Sequence, residues 1–520
     1  MQSGDLEQAA VVLEDVLLAD PGHFDATLGL AIVHATRGDL ETAIPLFEKA
    51  VTIRPGDAEA HFNLGRALTE NGKLDDAATA YRRSLDIDPN QDAAHINLGN
   101  LLIKIGDVAT AADSFRRAIE IIPDHALAHS NLGNALSGLG REDEAVANYH
   151  KALAIMPDCA EFHSNLGNAL IKLGRAEDAV ASHQKALALK PDYAEFHNNL
   201  GNALTELGRL ENAVASYQEA LALKPDYSEG HYSLGTVLQK LGRFEDALRS
   251  YDLAELDSSR GKALECLFLL EKYEDFYLRL EKFIEVDKTN LDVAAISAFA
   301  SHQLGRENPY PFCKTPLDFL RVGHIGDSAD DTDDLIDELI EELRHRYAVW
   351  EPYGVTTKFG FQTRENLFLN PKGCVAKLDQ IIKAEINSYY SEYKSTSCLF
   401  TELWPKKLRL RGWFVRLLQQ GHQEVHNHPR GWLSGVIYLK LPETSKRDEG
   451  AIEFVLHGYD GPILNDKHPR TLHHPDKGQI VLFPSSLFHK TLPFSTDDER
   501  LSVAFDLLPD RAGINSPKVR

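Results

Sequence analysis

The sequence lacks several features that define large classes of proteins. No apolar run reaches the roughly 18–20 residues that span a bilayer, and the opening MQSGDLEQAA lacks the basic stretch and apolar core of a signal peptide. There is no Lys/Arg run of useful length, and 55 basic against 78 acidic residues give a net charge of −23. Such a chain repels phosphate backbones and anionic lipid. We therefore expect neither nucleic acid nor a membrane as a partner.

Cysteine is also scarce, and its distribution carries information. The five cysteines lie far apart, with no C-x-x-C pair and no even-numbered framework: Cys159, Cys266, Cys313, Cys374 and Cys398. This pattern suits unpaired thiols in a reducing compartment, so we expect a cytoplasmic protein. The 520 residues are too many for one compact core, and 43% hydrophobic with 26% charged residues predicts a folded chain of two or more units.

The first half of the sequence repeats with a period of 34 residues. Prolines recur at this step from Pro21 to Pro225, and glycines recur at the same step from Gly38 to Gly242. Two helical patterns separate them, as in AHFNLGRALTENGKLDDAATAYRRSLDIDP (60–89). The glycine is predicted to end the first helix with a left-handed turn, and the proline stops the second helix. Small residues such as Gly65 and Ala77 fall where the two helices approach closely.

This helix–turn–helix pattern resembles the tetratricopeptide repeat (TPR) over about residues 4–261. The resemblance implies an all-α solenoid in which each repeat packs on its neighbours. Residues 6–21 resemble the second helix of a repeat without its first, so either this helix caps the array or upstream sequence is missing. Residues 262–305 keep a helical pattern without the repeat signature, and we expect them to form a degenerate repeat or cap and a linker.

Two polar ladders run through the array. Histidines share one phase (His61, His95, His129, His163, His197 and His231), and we expect them to pack between helices rather than bind ligands. Asparagines share another: Asn63, Asn97, Asn131, Asn165 and Asn199. They resemble the asparagine ladder of the TPR superhelix in O-GlcNAc transferase, which implies a groove for an extended protein or peptide partner, because an amide can both donate to and accept from a peptide bond. A solvated helix surface inherited by repeat duplication explains the same ladder.

The composition changes near residue 306, where a Pro- and aromatic-rich stretch (306–319) has the character of a boundary. Amphipathic helices are predicted over 327–346 and 375–393. The apolar period then switches to two, and short strands are predicted at residues 413–418, 433–440, 451–457, 479–483 and 501–507. Strands at this spacing favour an antiparallel barrel or jelly roll for residues 306–520.

A set of polar residues follows these strands in a fixed order. His426 and His428 are two residues apart in HNHPRGWLSGVIYL, a spacing that points both imidazoles to one face of an extended segment. His489 follows 61 residues after His428, and Arg500 and Ser502 open the last strand 11 residues after His489. Eight of the 22 histidines fall between 422 and 489, so histidine density alone cannot identify ligands.

The order resembles the iron(II)/2-oxoglutarate-dependent oxygenase superfamily, whose pattern is H-x-D/E, a distal His and then an Arg, often in R-x-S. More closely, the H-x-H-P, F-P-S-x-L-x-H and R-x-S segments resemble oxygenase domains found fused to TPR arrays. The resemblance implies a double-stranded β-helix with Fe(II) bound by His426, His428 and His489. It implies that Arg500, Ser502 and, more weakly, Tyr438 bind 2-oxoglutarate. O2 is then the oxidant.

His428 stands where the superfamily usually has a carboxylate. Three neutral imidazoles leave the +2 charge of the metal uncompensated, and three-His iron sites are found in cupin dioxygenases that use no keto acid. A second possibility is that His428 does not bind the metal. Arg500 favours 2-oxoglutarate, because a guanidinium offers parallel donors and a fixed charge to a carboxylate.

We therefore predict a multidomain protein: an all-α TPR solenoid (1–261), a degenerate helical cap and linker (262–305), and an α+β domain with a double-stranded β-helix (jelly-roll) core (306–520). The predicted function is an iron(II)- and 2-oxoglutarate-dependent dioxygenase, a hydroxylase whose TPR array recruits a protein or peptide substrate. The alternatives are a non-catalytic TPR interaction scaffold with a degenerate barrel, or a three-His dioxygenase of the cupin type.

Overall fold

The computed structural model describes residues 3–327, 332–352, 354–443, 447–459, 463–465 and 469–510. The chain divides into two compact units, one of residues 1–170 and 184–191 and the other of residues 171–183 and 192–520. None of the described helices has the length and apolarity that a membrane crossing requires.

The N-terminal half consists of helices in antiparallel pairs, which confirms the predicted all-α repeat array. The helices are α1 Ser3–Ala19, α2 Phe24–Thr36, α3 Leu40–Ile53, α4 Ala58–Glu70, α5 Leu74–Ile87, α6 Asp92–Ile105, α7 Val108–Ile121, α8 Ala126–Gly138, α9 Glu142–Ile155, α10 Ala160–Lys172, α11 Ala176–Leu189, α12 Ala194–Glu206, α13 Leu210–Leu223, α14 Ser228–Lys240 and α15 Phe244–Ala254. Helices α16 Asp257–Leu269, α17 Tyr273–Val286 and α18 Leu291–Leu304 continue them.

The repeat glycines have the two roles that the pattern indicates. Gly106 ends α6 with a φ of +90°, a left-handed conformation that glycine adopts without steric cost. Gly133 lies inside α8 because a Cβ there would stand 2.7 Å from the ring of Tyr149 on α9. The paired helices therefore approach more closely than any larger residue allows.

The histidine ladder has a structural role in the turns between repeats. The Nε2 atom of His129 on α8 lies 2.9 Å from the carbonyl oxygen of Pro123, six residues earlier. The same bond recurs at 2.9–3.1 Å in His61, His95, His163 and His231. Each imidazole thus satisfies a carbonyl in the turn after a helix end, where no helical partner exists.

His183 on α11 differs, because it is buried with no hydrogen-bond partner for either ring nitrogen among the described residues. Burial lowers its pKa to about 4, whereas the unfolded chain titrates at about 6.5. Between these values the unfolded state binds more protons, so stability falls as the pH falls.

From pH 7 to pH 5 this group alone should lower the free energy of unfolding by about 2 kcal/mol. Urea unfolding at the two pH values should show a smaller loss in His183→Gln than in the wild type, and the exposed His150→Gln should match the wild type. An equal loss in all three proteins would contradict this prediction.

The C-terminal part is an antiparallel sheet with two long helices. Its strands are β1 Arg321–His324, β2 Ala348–Trp350, β3 Thr357–Thr363, β4 Arg409–His426, β5 Leu433–Lys440, β6 Ile452–Val455, β7 Arg470–His473, β8 Gln479–Pro484, β9 Phe488–Thr491 and β10 Arg500–Leu508. Its helices are α19 Thr332–Arg344, α20 Gly373–Tyr393 and the short α21 Leu399–Glu402. Both predicted long helices are present, and residues 328–331 of the first prediction lie outside the described residues.

The sheet curls because β4 takes part in both of its halves. The strand order is β1-β8-β5-β10-β4-β9-β6-β7, with β3 also paired to β4 and β2 to β3. The first half of β4 pairs with β10, whereas Gln423 and His426 near its end pair with β9. Gln420, with a φ of +64°, lies between these halves and bends the strand. This topology agrees with the predicted jelly roll.

Five strands were not predicted from the sequence. β1, β2, β7 and β9 are only three or four residues long, and β3 contains no strict alternation. His473 ends β7 and pairs with Ile452 on β6. Pairing with neighbouring strands, rather than local composition, creates these short strands.

Helix α18 packs directly on the strands of this sheet. Ala295 forms a small apolar cluster with Val455 on β6 and Phe488 on β9, and the ring of Phe299 stacks on His457 with centroids 4.9 Å apart. The boundary segment is also anchored, since Tyr310 and Phe312 are buried in the same apolar core as α20 and β10. The helices after the repeats therefore share a core with the sheet that carries the candidate site.

Candidate functional site

Three imidazoles that are distant in sequence lie together at one end of the sheet. His426 ends β4 and is the register partner of His489 on β9, and His428 follows in the turn after β4. Their ring centroids are 4.3–5.1 Å apart. One nitrogen from each ring lies within 4.8 Å of those of the other two. A small ring movement would bring all three to the roughly 2 Å of a metal–nitrogen bond.

The second nitrogen of each ring faces an oxygen that only accepts hydrogen bonds. Nδ1 of His426 lies 2.7 Å from the Glu424 carbonyl, and Nδ1 of His489 lies 3.3 Å from the Leu487 carbonyl. Nδ1 of His428 lies 2.5 Å from Oδ1 of Asp506. A proton on each Nδ1 would satisfy these oxygens and would leave the three Nε2 lone pairs for a metal ion.

The electrostatics of the cluster also favour neutral rings. Burial, and then the neighbouring His428, lowers the pKa of His426 to about 3. Burial lowers the pKa of His489 well below its usual value, and the two other imidazoles lower it further. Imidazole nitrogens in such a cluster form a donor set that suits Fe(II) and other first-row transition metals.

Arg500 lies beside these imidazoles as an isolated buried cation. Its side chain is only 2% exposed, and its Nη1 donates to Oγ1 of Thr491 at 2.9 Å. Its Cζ lies 5.0 Å from the ring centre of Tyr438, while Nε has no partner among the described residues. No described carboxylate pairs with it, and burial lowers its pKa. A buried guanidinium without an anion is costly.

A cavity joins the imidazoles to Arg500. Its described lining comprises His426, His428, His489, Arg500, Thr491, Gln423, Trp413, Gly435, Val436, Ile452, Phe483 and Ala504. Six of these residues are the three histidines, Arg500, Thr491 and Gln423, and the other six are apolar or glycine. Such a pocket excludes water and orients a small ligand through a few polar groups.

Two predicted cosubstrate residues lie near Arg500 but outside this lining. Tyr438 on β5 is fully buried beneath the guanidinium, and burial raises the pKa of its hydroxyl. Ser502 is buried on β10 and is the register partner of Tyr438. Thr491, which lines the cavity and contacts Arg500, was not predicted. Its position two residues after His489 on the same strand was the available signal.

The asparagine ladder occupies the first helices of successive repeats. Its five residues lie on α4, α6, α8, α10 and α12 and are partly exposed. Asn131 donates from Nδ2 to Oδ1 of Asn100 at 3.1 Å, a contact between adjacent repeats. The amides therefore lie at a surface, and one of them already has a neighbouring amide as a partner.

Comparison with protein families identifies both parts of the chain. Residues 1–58, 35–95, 91–158, 167–208 and 201–242 match models of the tetratricopeptide repeat. Residues 411–506 match the family described as "Putative 2OG-Fe(II) oxygenase". The match contains all three clustered histidines and Arg500. No curated protein matches the chain.

Solved structures resemble the chain over about a third of its length. A crystal structure of MamA protein is 23% identical and covers 33% of this chain and 94% of its own, with a TM-score of 0.31. MamA from Desulfovibrio magneticus RS-1 is 22% identical and covers 32% and 95%, with a TM-score of 0.32. YrrB, titled a TPR protein with an unusual peptide-binding site, is 21% identical and covers 35% and 95%, also with a TM-score of 0.32.

Proposed function

We propose that this chain, which carries tetratricopeptide repeats followed by a domain of the 2OG-Fe(II) oxygenase type, is an iron(II)- and 2-oxoglutarate-dependent dioxygenase that hydroxylates a protein or peptide. The observation that carries the proposal is the pairing of two features in one cavity. Three imidazoles turn free nitrogens to a common point, and a buried guanidinium without an anionic partner faces the same space. A metal site alone would not require that cation.

The residues fit the cofactor and the cosubstrate of this chemistry. His426, His428 and His489 would hold Fe(II), which supplies the capacity to bind and activate O2. Arg500 would bind the far carboxylate of 2-oxoglutarate, with the Thr491 hydroxyl as a second polar contact. Trp413, Phe483 and Val436 form apolar walls that keep water from the reacting groups.

The overall reaction that we propose is an oxidation in which one atom of O2 enters the product. O2, 2-oxoglutarate and a C–H bond of the substrate give succinate, CO2 and an alcohol. The second oxygen atom enters the carboxylate of succinate. The protein's own contribution would be to fix the keto acid by its far carboxylate and to hold the metal through three imidazoles.

We further propose a division of labour along the chain. The repeats of residues 1–261 would recruit the protein or peptide substrate, residues 262–305 would connect them, and residues 306–520 would carry out the oxidation. Repeat arrays bind extended partners through the surfaces of successive units. The partly exposed ladder from Asn63 to Asn199 offers amides that match a peptide backbone.

The third imidazole favours a second candidate, a dioxygenase that binds iron through three histidines and uses no keto acid. His428 is the observation behind it, because its position usually holds a carboxylate. Arg500 argues against this candidate, since that chemistry leaves the buried cation unexplained. Succinate formation separates the two.

The proposed function predicts coupled consumption of two small molecules. Anaerobically purified protein reconstituted with Fe(II) should bind one iron per chain. It should also convert 2-oxoglutarate to succinate in air, slowly without substrate and faster with the correct peptide. Succinate by mass spectrometry and iron by elemental analysis are the measurements. Iron binding without succinate would favour the three-His dioxygenase, and the absence of stoichiometric iron would leave only the non-catalytic scaffold.

A further inference from the structure

The carboxylate of Asp506 lies directly behind the candidate metal site. It is on β10, on the same strand face as Arg500 and Ala504, and its Oδ1 is 2.5 Å from Nδ1 of His428. Both side chains are only 10% exposed. No pattern in the sequence singled out this residue, because it follows the R-x-S segment in what reads as an ordinary strand.

Asp506 is held by a short hydrogen-bonded chain rather than by packing alone. The Ser434 hydroxyl donates to Oδ1 of Asp506 at 2.7 Å and lies 2.8 Å from the Ser485 hydroxyl. The Ser485 carbonyl accepts from the backbone of His428 at 2.9 Å. Gly431 allows this approach, because a Cβ there would stand 2.5 Å from Oγ of Ser485 and 3.1 Å from Cγ of Asp506. The network fixes both the ring of His428 and its partner.

The negative charge of this carboxylate can compensate for a ligand set that contains three imidazoles and no carboxylate. A complex of M²⁺ with two imidazoles and a carboxylate has a net charge of +1, whereas a complex with three neutral imidazoles keeps a net charge of +2. A carboxylate that accepts a hydrogen bond from Nδ1 raises the basicity of the ligating nitrogen and orients the ring. At this burial the charge of Asp506 is poorly screened, so a cation one imidazole away should feel it strongly.

We propose that Asp506 is a positioning residue that supplies, through His428, the negative charge that oxygenase sites of this type usually obtain from a ligating carboxylate. The inference rests on the proposed metal site. The carboxylate lies on β10, one layer behind the ligand position that His428 occupies. It fixes His428 as a ligand with Nε2 directed to the metal, and it keeps the complex of the metal with three neutral nitrogens electrically compensated.

Metal binding tests this inference without any turnover. Anaerobic titration of the full-length protein with Co(II), followed by its visible absorption bands, should give a dissociation constant about 10- to 100-fold higher in Asp506→Asn than in the wild type. The absorption bands should also shift, because the donor strength of His428 changes. Ser434→Ala is the matched control: it removes a hydrogen bond to the same Oδ1 but keeps the charge, and it should stay within about threefold of the wild type.

A double variant distinguishes charge from scaffolding. His428→Asp combined with Asp506→Asn returns the carboxylate to the ligand position and leaves an amide behind it. The double variant should recover most of the Co(II) affinity lost in Asp506→Asn. Asp506→Glu serves as a second variant if Asp506→Asn folds poorly, and it should keep more Co(II) affinity than Asp506→Asn. Wild-type affinity in Asp506→Asn, equal losses in Asp506→Asn and Ser434→Ala, or no recovery in the double variant would overturn the inference. A wild-type protein that binds no Co(II) would instead overturn the proposed function.

Discussion

Arg500→Ala is expected to weaken 2-oxoglutarate binding by about 30- to 700-fold while iron binding stays within about threefold of the wild type. The guanidinium is almost fully buried and lines the cavity, and among the described residues it contacts Thr491 and the ring of Tyr438. Removing one member of a buried charged pair costs about 2–4 kcal/mol, which corresponds to that range. Calorimetric titration of the Mn(II)-loaded protein with 2-oxoglutarate under anaerobic conditions measures it.

Two further variants make this result specific. Arg500→Lys retains the charge but not the two parallel donors, so its loss should be smaller than that of Arg500→Ala. Arg470→Ala serves as the control, because this arginine on β7 is 69% exposed and pairs with Glu453 away from the cavity. Unchanged affinity in Arg500→Ala would remove the argument for a keto acid and leave the three-His dioxygenase.

His489→Ala is expected to raise the dissociation constant for Co(II) by more than about 100-fold. Losing a residue that merely supports a ligand costs about 10- to 100-fold, and loss of the ligand itself should exceed this. His489 is the most buried of the three imidazoles, at 6% exposure, and it is the register partner of His426. Its replacement leaves the two remaining rings in place but opens the third position to water. Anaerobic titration followed by Co(II) absorption measures the change.

The matched control for His489→Ala is His474→Ala. His474 belongs to the same histidine-rich stretch, but it is 48% exposed and contacts Asp448. Its replacement should leave Co(II) binding unchanged. Equal losses in both variants would mean that the stretch binds metal without a defined site, and no loss in His489→Ala would contradict the three-imidazole centre.

Periodic features of the sequence were sufficient to predict the repeats. A 34-residue step fixes where each helix ends, and Gly133 must be small because Tyr149 of the partner helix occupies the space of a Cβ. The motif order also placed His426, His489 and Arg500 on or next to strands, which is where they lie. These predictions succeeded because the spacing of the repeats and the alternation of residues in strands are local properties of the chain.

Other features depended on contacts that no local pattern encodes. Five strands, including β9 with His489, exist because a neighbouring strand offers them hydrogen bonds. Thr491 and Asp506 were missed because their partners are Arg500 and His428, which lie 9 and 78 residues away along the chain. The roles of Ser502, Tyr438 and the asparagine ladder remain predictions.

Sequence patterns were enough to predict a repeat array followed by a β-rich domain with an ordered set of histidines and an arginine. They were enough because helix periodicity, turn residues and motif order are written in consecutive positions. Three further facts came from the folded chain: which histidines share a cavity, that no described carboxylate pairs with the buried Arg500, and that a carboxylate lies behind His428. Those facts arise where β4 bends between two halves of the sheet, and distances across a folded sheet have no counterpart in sequence spacing.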